Sequence, residues 1–144
     1  SPPTHGQLRG ACTQFFNALA TDASALNLLS YFSTSQEVAV QHYPASCPHP
    51  HTSLLRGSNA IRSYFDLLAT HWTRSNLVQH SITPDPTTRS VVVKASVVWT
   101  WKQSGHKWKE EFVCTLTFDD ALQIVSLTVR TESGPGTCVM RAVD

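Results

Sequence analysis

Histidine and carboxylate side chains on apolar strand faces are the residues of this sequence that could do chemistry. His42 alternates with Val40, His80 alternates with Val78, and Glu110 lies within an alternating aromatic stretch. A histidine side chain has a pKa near neutral pH, which suits a general acid or base. Burial raises the pKa of an unpaired carboxyl group, which also suits proton transfer. The pattern therefore predicts proton transfer, with His42, His80 and Glu110 as the candidate catalytic residues.

Each of these residues also has a purely structural interpretation. His80 could be a core histidine whose hydrogen bonds are satisfied. Glu110 could lie at the rim of the fold and pair with Lys107, Lys109 or Arg130. Strand phase decides between the two interpretations, because one β-bulge reverses every inward and outward assignment that follows it.

Aromatic residues predict an apolar pocket beside these groups. The sequence holds four tryptophans, and aromatic side chains line most small-molecule pockets. The candidate ligand-binding residues are Tyr31, Tyr64, Phe65, Trp72, Trp99, Trp101, Trp108, Phe112 and Arg130. Any one of the aromatic residues could instead be core, because aromatic side chains dominate core burial.

A second concentration of reactive residue types is "HYPASCPHPHTSLLRG", which holds three histidines, one cysteine and three prolines. Cys47, His49 and His51 would supply three ligands, whereas a structural zinc site needs four. Pro48 and Pro50 favour an extended segment, in which the last two histidines point in opposite directions. The stretch therefore predicts a stiff, proline-braced lip rather than a native metal site, and we expect no cofactor.

The elements that must position these residues follow from apolar periodicity. Recurrence at three and four residues predicts helices, and alternation predicts strands. We expect helices over 7–20, 25–32 and 57–72, and strands over 37–43, 76–83, 89–102, 107–119 and 124–132. Helices followed by strands joined through short turns indicate an α+β fold. We expect one domain over 1–144, with tails at 1–7 and 135–144.

Composition limits the classes of function. The chain has 144 residues, 41% hydrophobic and 15% charged, with a net charge of +1. These values predict a globular protein without a basic nucleic-acid face and without a membrane span. The four cysteines contain no C-x-x-C pair and no N-x-[ST] sequon occurs, so we expect reduced thiols and a cytoplasmic location.

The order of elements and three stretches resemble the nuclear transport factor 2-like superfamily, and within it the SnoaL-like group. The stretches are "LLSYFST", "LRGSNAIRSYFDLLATHW" and "GHKWKEEFVCTLTFDDALQIVSLTVRTESG". Small fungal SnoaL-like proteins are similar through "FSTS", "VKASVVWTW" and "SGHKW". The resemblance implies a cone, in which a strongly curved, mostly antiparallel sheet wraps against three N-terminal helices around a pocket.

The resemblance also implies functional expectations. SnoaL-like enzymes move protons with a histidine and a carboxylate, and His80 and Glu110 are the nearest match by position. The arrangement of scytalone dehydratase is echoed loosely by Tyr31, His42, Tyr43 and His80. Such proteins often form homodimers through the outer sheet face. The outward residues expected here are Val98, Val113, Thr115, Val125, Leu127 and Val129.

Two functions of different classes follow from the sequence. The first is a binder of an apolar or aromatic small molecule, with isomerase, cyclase or dehydratase chemistry as its enzymatic form. It requires a pocket of a few hundred Å3. The second is a non-enzymatic, homodimeric interaction module, which requires a filled cone and an exposed apolar patch.

Overall fold

The computed structural model describes residues 2–43, 54–134 and 136–142. The elements in chain order are α1 (His5–Ala20), α2 (Ala25–Leu29), β1 (Ala39–Tyr43), β2 (Leu54–Arg56), α3 (Ser58–His71), β3 (Trp72–Asp85), β4 (Ser90–Trp101), β5 (Lys107–Phe118), β6 (Ile124–Thr131) and a 3-10 turn at Val139–Arg141. The α1 helix begins inside the tail expected at 1–7, because Thr4 and Gln7 form a reciprocal capping box.

The strands form one sheet in the order β2-β1-β6-β5-β4-β3. The β1 and β6 strands are parallel and the other neighbours are antiparallel. The helices pack against one face of this curved sheet, so the predicted α+β cone is confirmed. The short edge strand β2 was not predicted from the sequence, because three residues are too few to show alternation.

An aromatic cluster joins the helices to one another. The Phe15 ring of α1 makes edge contacts with Phe16, Tyr31, Phe32 and Phe65, with ring centroids 5.9–6.5 Å apart. Such edge-to-face pairs contribute beyond the area that they bury. The cluster connects α1 and α3 with the segment that directly follows α2.

The strands depart from the predicted alternation at identifiable places. The α3 helix ends at His71, and Trp72 begins β3 instead of continuing the helix. The pairing of β3 with β4 shifts register between Ser75 and Val78 and again between Gln79 and Ser81. A further irregularity separates the β5–β6 pairs at Thr117 and Phe118. These shifts control which side chains enter the cone.

Candidate functional site

The cone encloses a cavity of about 60 Å3 between the helices and the inner sheet face. Its polar side chains are His42, Tyr64, Arg74 and Glu110. The other lining residues are Phe15, Phe16, Leu19, Phe65, Leu68, Leu77, Val97, Trp99, Phe112, Cys114, Leu127, Val129 and Val139. The cavity is smaller than the few hundred Å3 expected from the sequence.

His42 and Tyr64 form one polar pair in this cavity. The β1 strand directs His42 inward, where its side chain is buried, and α3 directs Tyr64 at it. The His42 Nε2 atom lies 2.7 Å from the Tyr64 hydroxyl oxygen. Burial lowers the pKa of His42 to about 4 and raises the pKa of Tyr64. Both groups are therefore uncharged at neutral pH.

Glu110 is the buried carboxyl group of the same cavity. The β5 strand places it inward, opposite Val97. Its two oxygens accept hydrogen bonds from the Trp99 indole N–H at 2.9 Å and the Thr131 hydroxyl at 2.7 Å. Burial raises the pKa of Glu110, and hydrogen bonds from Thr131, Trp99 and the Val139 backbone partly oppose that rise. The carboxyl group is therefore held rigidly, with its protonated form favoured by burial.

Arg74 of β3 also lines the cavity, and its side chain is 8% exposed. Its Nε–H donates to the Leu19 carbonyl oxygen at 3.0 Å. One Nη atom lies 3.5 Å from the carboxylate of Asp22. Burial lowers the pKa of Arg74, while Asp22 raises it. Sequence reasoning missed this residue because it precedes the strand predicted to begin at Asn76.

His80 does not enter the cavity. It lies exposed on the opposite sheet face, where its Nε2 atom is 2.8 Å from the Ser96 hydroxyl oxygen. The inward position predicted for His80 is wrong because the register shift between Ser75 and Val78 reverses the phase of β3 before His80. The second shift, between Gln79 and Ser81, restores that phase for Ile82. Val78, with which it was predicted to share a buried face, is 45% exposed.

The predicted aromatic residues divide between the cavity and its surroundings. Tyr64, Phe65, Trp99 and Phe112 line the cavity. Trp72, Trp101 and Trp108 instead pack in a row at the ends of β3, β4 and β5, with successive centroids 4.7 and 6.3 Å apart. Tyr31 lies on the outer side of the Phe15 ring, beside a groove along α1. These four residues do not line the cavity.

Two further assignments change along β6. Arg130 was predicted to point into the pocket, but its side chain is 61% exposed and pairs with Glu132 at 3.2 Å. Leu127 and Val129, predicted to face outward, are buried and line the cavity. The irregularity beside Ile124 explains both corrections, because it shifts β6 by one position relative to strict alternation.

The lip predicted around Cys47, His49 and His51 lies outside the described residues. Among the residues that the structure does describe, no three His, Cys, Asp or Glu side chains are grouped closely enough to hold a metal ion. Within the same part of the chain, no helix has both the length and the apolar character needed to cross a membrane.

The fold and cavity define the chain as an α+β cone with a polar cluster inside. AusH from Aspergillus nidulans superposes with a TM-score of 0.76 at 19% identity, covering 92% of this chain and 88% of AusH. The BvnE pinacolase from Penicillium brevicompactum has a TM-score of 0.72 at 13% identity, covering 89% of this chain and 84% of BvnE.

A third similar structure is SalBIII, an epoxide hydrolase/cyclase-like enzyme in pyran ring formation in the polyether salinomycin. It has a TM-score of 0.72 at 15% identity and covers 88% of this chain and 91% of its own. No protein-family model matches the sequence, and no curated protein is significantly similar to it. At these identities the similarity establishes the fold, which hosts many functions.

Proposed function

We propose that this protein binds an apolar or aromatic small molecule in the cone and transfers a proton on it without a cofactor, as an isomerase, cyclase or dehydratase does. The observation that carries the proposal is the convergence of His42, Tyr64 and Glu110 on one cavity whose lining, apart from these residues and Arg74, is largely apolar. Buried titratable groups with shifted pKa values beside a concave apolar surface are typical of acid–base sites.

The environments of Glu110 and of the His42–Tyr64 pair suggest different roles for them. Glu110 has its protonated form favoured by burial, and its donors Trp99 and Thr131 also accommodate the carboxylate that remains after proton transfer. It is the proposed general acid and base. Neutral His42 and Tyr64 form the proposed partner pair, which hydrogen-bonds an oxygen of the substrate and accepts or returns the second proton.

The volume of the cavity limits how much of a ligand it can enclose. A volume of about 60 Å3 accommodates the reacting end of a ligand rather than a whole polycyclic molecule. Four lining residues are only partly buried: Leu19, Arg74, Leu77 and Phe112. A larger ligand would extend past them, out of the enclosed part of the cone.

The similar structures support the class of chemistry. The BvnE protein is described as a pinacolase and SalBIII as an epoxide hydrolase/cyclase-like enzyme. The description of SalBIII names ring formation, that of a pyran ring. An apolar cone with a buried acid suits such reactions, because exclusion of water prevents competing hydrolysis.

Two measurements test the proposal. Native mass spectrometry of protein purified from its own host should detect a retained small molecule. A panel of hydroxy-epoxides, vicinal diols and β,γ-unsaturated ketones should then include a compound that is converted. Glu110→Gln should lower the rate at least about a hundredfold, whereas Glu111→Gln, on the exposed face, should leave it unchanged. Retention of no molecule, together with no thermal shift from any probe, would remove the proposal's support.

The alternative is a non-enzymatic homodimer that uses its outer sheet face for interaction. The small cavity favours it, and so do two apolar residues on that face, Val92 at 38% and Val78 at 45% exposure. Sedimentation equilibrium of the wild type and of Val92→Lys tests this alternative. A wild-type dimer that Val92→Lys dissociates, combined with no bound ligand, would favour the interaction module.

A further inference from the structure

Arg74 is a cation that lines the cavity and uses few of its hydrogen-bond donors on the residues that the structure describes. Its guanidinium group makes two polar contacts among the described residues. The Nε–H donates to the Leu19 carbonyl at 3.0 Å, and one Nη atom lies 3.5 Å from Asp22. The second distance exceeds that of a good hydrogen bond, about 2.7–3.2 Å. The Nη groups, with four N–H donors, therefore have no well-formed hydrogen bond to that part of the chain.

The known contacts explain only part of this arrangement. The Leu19 carbonyl belongs to the last turn of α1, so the Nε contact places a positive charge at the negative end of a helix dipole. Asp22 is 57% exposed, so water and salt screen its attraction. An Arg side chain that is only 8% exposed usually needs closer partners, because burying a charge without them is costly.

Charge around the cavity also favours a negative group next to Arg74. Burial favours the uncharged forms of the other polar lining groups, His42, Tyr64 and Glu110. Arg74 itself stays protonated at neutral pH, because the guanidinium group does not lose its proton in proteins. The lining thus combines a largely apolar surface with the positive charge of Arg74.

We infer that the ligand of this cavity is a carboxylate-bearing small molecule whose carboxylate pairs with Arg74 while its apolar part enters the cone. This inference rests on the proposed function and specifies its substrate class. A carboxylate matches the planar fork of a guanidinium group and can accept two parallel hydrogen bonds from it. Arg74 is then a specificity-determining residue in the partly buried part of the lining.

A matched pair of probes tests the inference. Benzoate and benzamide share a ring and size and differ in charge, and the indole N–H of Trp99 reports on cavity binding because it lies beside Glu110. Titrations followed by the Trp99 indole resonance should give a benzoate affinity at least about tenfold above that of benzamide. Arg74→Met should abolish this preference. The control Arg130→Met, which changes an exposed arginine, should retain it.

A second variant keeps the test decisive if Arg74→Met fails to fold. Asp22→Asn removes the competing carboxylate, and Asn is tolerated at the left-handed φ of 54° found there. It should tighten benzoate binding severalfold and leave benzamide binding unchanged. Equal affinities for the two probes in the wild type, or a preference that neither variant alters, would overturn the inference and leave the proposed function standing. Absence of binding by both probes would count against the cavity as a ligand site and so against both proposals.

Discussion

Two histidine–hydroxyl pairs on opposite faces of the same sheet show what the cone does to a side chain. His42 lies 2.7 Å from the Tyr64 hydroxyl and is 2% exposed. His80 lies 2.8 Å from the Ser96 hydroxyl on the outer face, where it is exposed to solvent. The two hydrogen bonds are nearly equal in length. Burial, rather than the hydrogen bond, therefore makes His42 a candidate for chemistry.

The two neighbouring carboxylates of β5 repeat the comparison. Glu110 is buried at 2% exposure and receives hydrogen bonds from Trp99 and Thr131. Glu111 points outward and pairs with Lys109 at 3.7 Å, with its side chain 57% exposed. These two carboxyl groups belong to consecutive residues. Water hydrates that of Glu111, whereas that of Glu110 depends on hydrogen bonds from the protein. Substitutions on the inner and outer faces should therefore differ in their effect on stability.

Glu110→Ala should show the largest effect, because Trp99 and Thr131 would lose their acceptor in a site that water does not readily reach. We expect a loss of about 3–5 kcal/mol in the free energy of unfolding, from unsatisfied donors and a new cavity. Glu111→Ala is the matched control and should change it by less than about 0.5 kcal/mol. Urea unfolding of both variants measures the difference. Equal losses would contradict the contrast between the two faces.

The pH dependence of stability should reveal the burial of His42. Its pKa is about 4 in the folded protein, against about 6.5 in the unfolded chain. Between these values the unfolded state binds more protons, so stability falls as the pH drops from about 6.5 to about 4. The wild type should lose on the order of 3 kcal/mol relative to His42→Gln over this range.

Urea titrations at a series of pH values measure that loss. Subtracting the stability of His42→Gln from that of the wild type separates the contribution of His42 from that of Glu110. Burial raises the pKa of Glu110, so its contribution has the opposite sign and is lost as the pH rises through its folded pKa. Tyr64→Phe is the control, because it keeps His42 buried and should therefore retain the slope. Parallel curves for the wild type and His42→Gln would show that His42 is hydrated.

Removing the hydroxyl partner of each histidine should have a smaller, unequal effect. Tyr64→Phe leaves a buried ring nitrogen of His42 without this partner, so we expect a cost of about 1–3 kcal/mol. Ser96→Ala should cost less than about 1 kcal/mol, since the exposed His80 ring can bond to water instead. Thermal unfolding of the two variants compares them, and a larger loss in Ser96→Ala would reverse the comparison.

The exposed ion pair on the outer face should matter least. Arg130 and Glu132 lie 3.2 Å apart with side chains 61% and 48% exposed. Arg130→Ala should therefore change the free energy of unfolding by less than about 0.5 kcal/mol. Chemical unfolding at low and high salt checks this value, and a loss above about 1 kcal/mol would show that the outer face is less hydrated than its exposure indicates.

Regular stretches of the chain could be predicted from sequence, whereas irregular ones could not. The alternation from Trp108 to Phe118 correctly placed Glu110 and Phe112 inward, because β5 runs without a bulge beside β4. The same reasoning failed for His80 and Arg130, whose strands contain register shifts. A bulge depends on pairing with a distant strand, so local alternation carries no signal of it.

The sequence by itself determined the α+β class, most of the helices and strands, and the presence of aromatic and proton-transferring side chains, because periodic burial and element order are local properties. The tertiary structure alone decided which of those side chains meet. It brought His42, Tyr64 and Glu110 together from β1, α3 and β5, added Arg74, and left His80 and Arg130 outside. The site depends on strand phase and on packing between elements far apart in sequence, which only the folded chain specifies.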